Sequence, residues 1–139
     1  MTMEQESMAF SLIRLNNFLR DRTLIGLEGT GLKASFTPIL VALLGTDGLT
    51  VSELSHITGL DKSSVTRNVQ QLADLEYRSK DSRNAPITLT HNGEVAAKTV
   101  MGIQNESYEE LLSCLDDDER ERFIDMALRI FGSIEEKGF

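Results

Sequence analysis

Residues 49–75 read LTVSELSHITGLDKSSVTRNVQQLADL, and this stretch decides the fold. Thr50 and Glu53 stand three apart, as in a capping box, where each side chain satisfies the other's free backbone N–H. That predicts a short helix with Val51, Leu54 and Ile57 turned inward, stopped by Gly59 as the glycine just past its end. Asp61 then caps a second helix whose buried stripe is Val65, Val69 and Leu72, at helical spacings of four and three. Two helices joined by a glycine turn form a helix-turn-helix, which places its second helix in the major groove of DNA. Removing the buried stripe leaves Lys62, Ser63, Ser64, Thr66, Arg67 and Gln70 exposed. Arginine can fork onto guanine, glutamine can pair with adenine, and serine and threonine reach phosphates or base edges. Between Asp61 and Asp74 there is no carboxylate to repel phosphate.

Downstream, residues 77–90 are polar up to Pro86 and then alternate as Ile87-Thr88-Leu89-Thr90. Alternation predicts a strand, and with the polar turn a short β-hairpin wing. The wing carries Arg78, Lys80 and Arg83. An arginine at its tip can enter the minor groove, with Asp81, two residues away, orienting the Arg83 guanidinium. Upstream, Thr37-Pro38 predicts a helix start, Thr37 as cap and Pro38 at the first helical position, running to Gly45. The glycine-rich GLEGTGLK at 26–33 reads as a loop. It is no phosphate loop, because Leu32 stands where that motif needs lysine.

Three outer helices complete the chain. Residues 8–24 form an amphipathic helix on Met8, Leu12, Leu15 and Leu19. Thr90 caps a long helix through Leu112. Asp116 with Glu119 caps a last one, with Phe123, Met126 or Ala127, Ile130 and Ile134 along one side. The fold class is mostly α: a winged helix-turn-helix lobe over 37–90, flanked by helices too long and too apolar to cover only that lobe.

The 139 residues suit one domain with an extension. Net charge is −8, which by itself argues against nucleic acid. Its distribution does not. Residues 1–60 carry four Lys/Arg against six Asp/Glu, residues 61–91 five against four, and residues 92–139 five against twelve. Only the middle is non-negative, and a DNA binder needs one local basic surface rather than a basic total. No apolar run approaches the roughly 20 residues of a membrane helix, and the acidic start MTMEQES is no secretory signal. A cytoplasmic protein is expected. A single cysteine, Cys114, rules out an internal disulfide, and a buried thiol is its default reading. His56, His91 and Cys114 lack zinc-ligand spacing. The acids at 116–119 are explained by helix capping and the helix dipole. No nucleophile motif is present. No metal, cofactor or catalytic role is expected.

The segment 49–75, followed by DSR at 81–83 and ITLTHNGE at 87–94, resembles the MarR family of bacterial and archaeal regulators. The resemblance implies an obligate homodimer built by residues 8–24 and 92–137, reading an imperfect palindrome in double-stranded DNA. It implies repression relieved by a small phenolic or other aromatic effector. Carried over residue by residue, it assigns DNA contacts to Ser63, Ser64, Thr66 and Arg67, the wing arginine to Arg83 and its paired aspartate to Asp81. An effector site would lie between the outer helices and the lobe, with Phe10, Arg14, Phe36 and His56 as candidates. The sequence departs from the family where LADLEYRSKDSR is several residues shorter and lacks the usual glycine-leucine-isoleucine step. The competing reading is a winged-helix module that binds protein, favoured by the net charge and the short wing.

Overall fold

A computed structural model describes residues 2–78 and 86–137. Helix α1 (Met3–Leu27) starts at a capping box between Thr2 and Gln5, so it is longer at both ends than 8–24. A 3-10 turn (Ala34–Phe36) runs straight into α2 (Thr37–Leu43). Thr37 is therefore not a cap. The turn before it already has helical geometry, so Thr37 falls inside the helix, buried, with its hydroxyl unpartnered. Helix α3 (Val51–Thr58) carries the expected Thr50/Glu53 box and ends on Gly59 at φ 74°, a left-handed conformation that glycine adopts without steric cost. Helix α4 (Lys62–Asp74) begins at Asp61, α5 (His91–Leu111) at Thr90, and α6 (Asp117–Glu136) at an Asp116/Glu119 box.

The core lies where α2 crosses α5 and α3 packs on α4. Phe36, Ile39, Leu40, Leu54, Val65, Leu72 and Val100 are fully buried there. Each such side chain contributes about 1.5–3 kcal/mol through the area removed from water. Ile57 is half exposed rather than inward. The helix is two turns long, and its one fully buried side chain is Leu54. Helix α1 lies along α5, where Gly26 permits the close approach: a Cβ there would stand 2.5 Å from Ile103. Arg22 adds an ion pair to Glu110 at 2.5 Å. At the α5–α6 corner, Arg120 donates to the Leu112 carbonyl and pairs with Glu109 at 2.8 Å. Cys114, in that corner, is exposed, contrary to the default reading. The corner's backbone turns at the surface between α5 and α6.

Among the described residues there is no extended strand. Two isolated antiparallel bridges, Leu49 with Ile87 and Arg78 with Leu89, occupy the wing's base. Leu49 and Ile87 exchange backbone hydrogen bonds of 3.0 and 2.8 Å. The expected hairpin body, with Lys80, Asp81 and Arg83, lies outside the described residues. The chain reaches the second of these bridges, at Arg78, through a sharp turn after α4. Glu76 N–H donates to the Ala73 carbonyl and Tyr77 N–H to that of Leu72, the paired bonds of a Schellman end. Glu76 itself sits at φ 60°.

Candidate nucleic-acid interface

The face opposite the buried stripe of α4 is set by helical geometry alone. Val65, Asn68, Val69, Leu72 and Ala73 are buried along one side, which leaves Lys62, Ser63, Thr66, Arg67 and Gln70 on the other. Lys62, Ser63, Thr66, Arg67 and Gln70 line one shallow depression on the exposed side. Ser64 is half buried at its edge. All six expected recognition residues thus belong to one helix and one surface. Asn68, which the sequence reading passed over, turns inward and donates its amide to the Ser64 carbonyl at 2.9 Å.

The polar groups of this face are connected to one another. The Ser64 N–H donates to Asp61 Oδ1 at 2.8 Å, and its hydroxyl donates to Oδ2 at 3.1 Å. Arg67 Nη2 donates to Ser64 Oγ at 3.3 Å. Gln70 Nε2 donates to Asp74 Oδ1 at 3.2 Å. The backbone N–H of Ser64, then its hydroxyl, hold the Asp61 carboxyl below its ordinary range, with Arg67 adding a smaller pull the same way. Asp61 is therefore ionised at neutral pH. Beside this face, Lys33 donates to Gln71 at 3.1 Å. That places a further cation next to α4 that sequence reasoning missed. It lies 38 residues away in the chain, and only the fold reports the proximity. Arg78 is half buried at the wing's base.

The candidate effector residues are not brought together. Phe36 is in the core, Phe10 and Arg14 are exposed on α1, and His56 is exposed on α3 with its Nε2 3.6 Å from Glu135 of α6. A different cavity, of about 290 Å³, opens between α1, α2 and α5. Leu19, Arg20, Thr37, Pro38, Gln104 and Tyr108 are among its walls, and none of the four candidates is. Thr37, whose buried hydroxyl has no hydrogen-bond partner, is one of the lining residues. The signal available in the sequence was slight: Thr37-Pro38 reads as a helix start, not as a lining.

Helix α6 has no buried residue, and Phe123, Ile124, Met126, Leu128, Ile130, Phe131 and Ile134 are each more than two-fifths exposed. Among the described residues, no helix is long and apolar enough to cross a membrane.

The family model described as MarR family matches residues 30–77. No curated protein matches the sequence. Among solved structures, the chain is similar to a MarR transcriptional regulator from Methanosarcina mazei, with 26% identity, TM-score 0.79, and 96% of this chain and 99% of that one covered. It is similar to a MarR/EmrR family transcriptional regulator from Acinetobacter, with 19% identity, TM-score 0.79, and 98% and 99% covered. It is also similar to a MarR family protein of Mycobacterium tuberculosis solved in complex with DNA, with 21% identity, TM-score 0.74, and 88% and 95% covered. That mycobacterial protein has also been solved with salicylic acid. The chain thus has the fold of MarR-family transcriptional regulators, and its segment 30–77 matches the model of that family.

Proposed function

We propose that the chain is a sequence-specific DNA-binding regulator, acting as a homodimer on a pseudo-palindromic site and releasing it when a small aromatic anion binds. The observation that carries this reading is the α4 face. Lys62, Ser63, Thr66, Arg67 and Gln70 share one exposed surface on a helix held rigidly by four buried apolar side chains. Major-groove readers need this arrangement of donors on a packed scaffold. Arg78 is half buried at the wing's base, and Lys80 and Arg83, which follow it in the sequence, are the residue types suited to the minor groove. The net acidity of residues 92–139 keeps the remaining surface off the phosphate backbone.

Dimerisation is supported by the apolar exposure of α1 and α6. Seven large hydrophobic side chains of α6 are left uncovered within one chain, more than a monomer keeps in water. A second copy contributing the same faces around a two-fold axis would cover them. The effector reading rests on the α1–α2–α5 cavity. It joins apolar walls to a few polar groups, as ligand sites do. Arg20 stands there for a carboxylate.

The test is fluorescence anisotropy with labelled duplex from the gene's own upstream region, against a scrambled duplex, across a salt series. A specific reader binds the upstream duplex more tightly by a wide margin, with log K falling about 0.9 per phosphate contacted for each decade of salt. Arg67→Ala should cost about 1–3 kcal/mol of specific binding. Equal weak binding to both duplexes, with no sequence enriched from a random pool, would leave the chain as a protein-binding module.

A further inference from the structure

On the recognition face, one polar side chain has its only donor committed before any DNA arrives. A serine hydroxyl carries one proton to donate. That of Ser64 is given to Asp61, and its oxygen accepts from Arg67. Ser64 thus has no donor left for a phosphate or a base acceptor. Gln70 gives one of its two amide N–H donors to Asp74, which leaves the other and the carbonyl oxygen. Arg67 is in the opposite position to Ser64. A guanidinium has five N–H donors in a planar fork. One is spent on Ser64, which fixes the plane, and four remain.

We propose that Ser64 is a positioning residue rather than a base reader: with Asp61 it forms a relay that holds the Arg67 guanidinium in one orientation, making Arg67 the main specificity determinant of α4. The three residues are spaced i, i+3, i+6, so they form a single ridge along the helix. Asp61 is anchored at one end because it also caps the helix through the Ser64 N–H. A charged acceptor at the far end polarises the hydroxyl and strengthens the bond it accepts. The relay also gives a reason for an ionised carboxylate at the edge of a surface that meets phosphates. Its charge is directed into the ridge.

This inference rests on the DNA-binding reading above, and the experiment separates the two. The bound site is first selected from random duplexes with the wild-type chain. Each base pair is then varied in turn against wild type, Ser64→Ala, Arg67→Ala and the double variant, recording affinity, salt slope and thermal midpoint. Wild type should discriminate at the Arg67 base pair by roughly 5- to 150-fold, the range of one bidentate contact. Arg67→Ala should flatten that position. Ser64→Ala should reduce discrimination at that base pair severalfold while leaving salt slope and thermal midpoint unchanged, because the Asp61 cap remains. The double variant should match Arg67→Ala alone, since a residue acting only through Arg67 has nothing left to position. Ser64→Thr, which keeps the hydroxyl, should behave as wild type. If Ser64→Ala flattens a different base pair, adds to Arg67→Ala, or changes nothing, the relay is overturned while DNA reading stands. A wild-type chain that prefers no duplex overturns DNA reading, and the relay with it.

Discussion

Helix α2 buries four of its seven residues, whereas α6 buries none of its twenty. Composition accounts for part of this, since α2 has no charged residue and half of α6 is charged. Position accounts for the apolar residues of α6. Helix α2 is enclosed by α3, α5 and the 3-10 turn, and its apolar side chains meet others at every angle. Among the described residues, the side-chain bonds from α6 to the rest of the chain are made by Arg120 at its first turn and Glu135 at its last. The lobe is thus folded by its own interior. The outer helix has a cap, a dipole complemented by Asp117, Asp118 and Glu119 and an apolar face with nothing on it. A twenty-residue helix in water draws little stability from propensity alone.

The largest effect should fall in the lobe. Leu54 has no exposed area and is the one fully buried residue of α3. Leu54→Ala should cost about 2–5 kcal/mol, the transfer term plus the cavity left behind. Urea unfolding reads this as a lower midpoint with an unchanged slope. A loss below about 1 kcal/mol would mean that the lobe is packed more loosely than its burial indicates, and the contrast with α6 would weaken.

A second substitution tests the other side. Ile130 on α6 is 63% exposed. Within a single chain, Ile130→Ala should change stability by no more than about 0.5 kcal/mol. If a second copy covers the face, each copy should instead lose roughly 2 kcal/mol or more, and the loss should appear in association. Light scattering over a dilution series should show the mass falling toward one chain at a higher concentration than in wild type. Identical dilution curves would place the dimer contacts elsewhere, on α1 or at the α5–α6 corner.

The same division explains what the sequence made legible. Caps at Thr50, Asp61, Thr90 and Asp116 were readable because capping is a contact between residues two or three apart. So was the α4 face, because one helix period fixes it. Thr37 was misread because a cap depends on the backbone before it, and the Ala34–Phe36 turn has no distinctive residue pattern. Ile57 was misread because helical spacing names a face but not how far the neighbouring helix extends over it. The α1–α2–α5 cavity joins residues some seventy to ninety positions apart, beyond the reach of any local rule. Exposed Cys114 follows from the corner geometry, not from the amino-acid type.

The smallest expected effect lies at the joint between α4 and the wing, where the sequence departs from the family's glycine. Glu76 occupies the left-handed conformation, φ 60°, at the position where helix ends usually carry glycine. For an L-residue this conformation costs about 1–2 kcal/mol. Glu76→Gly removes that strain and keeps both closing hydrogen bonds, since they are made by the backbone N–H groups of Glu76 and Tyr77. Against the gain stands the added freedom of glycine in the unfolded chain. The net should be a stabilisation of about 0.5–1 kcal/mol. Because the change lies in the lobe, the gain in stability should be the same at every protein concentration, whereas the Ile130→Ala effect fades once dilution leaves single chains. A destabilised Glu76→Gly would mean that the Glu76 side chain holds the wing's base, and that the short connection is maintained by a contact rather than by backbone geometry.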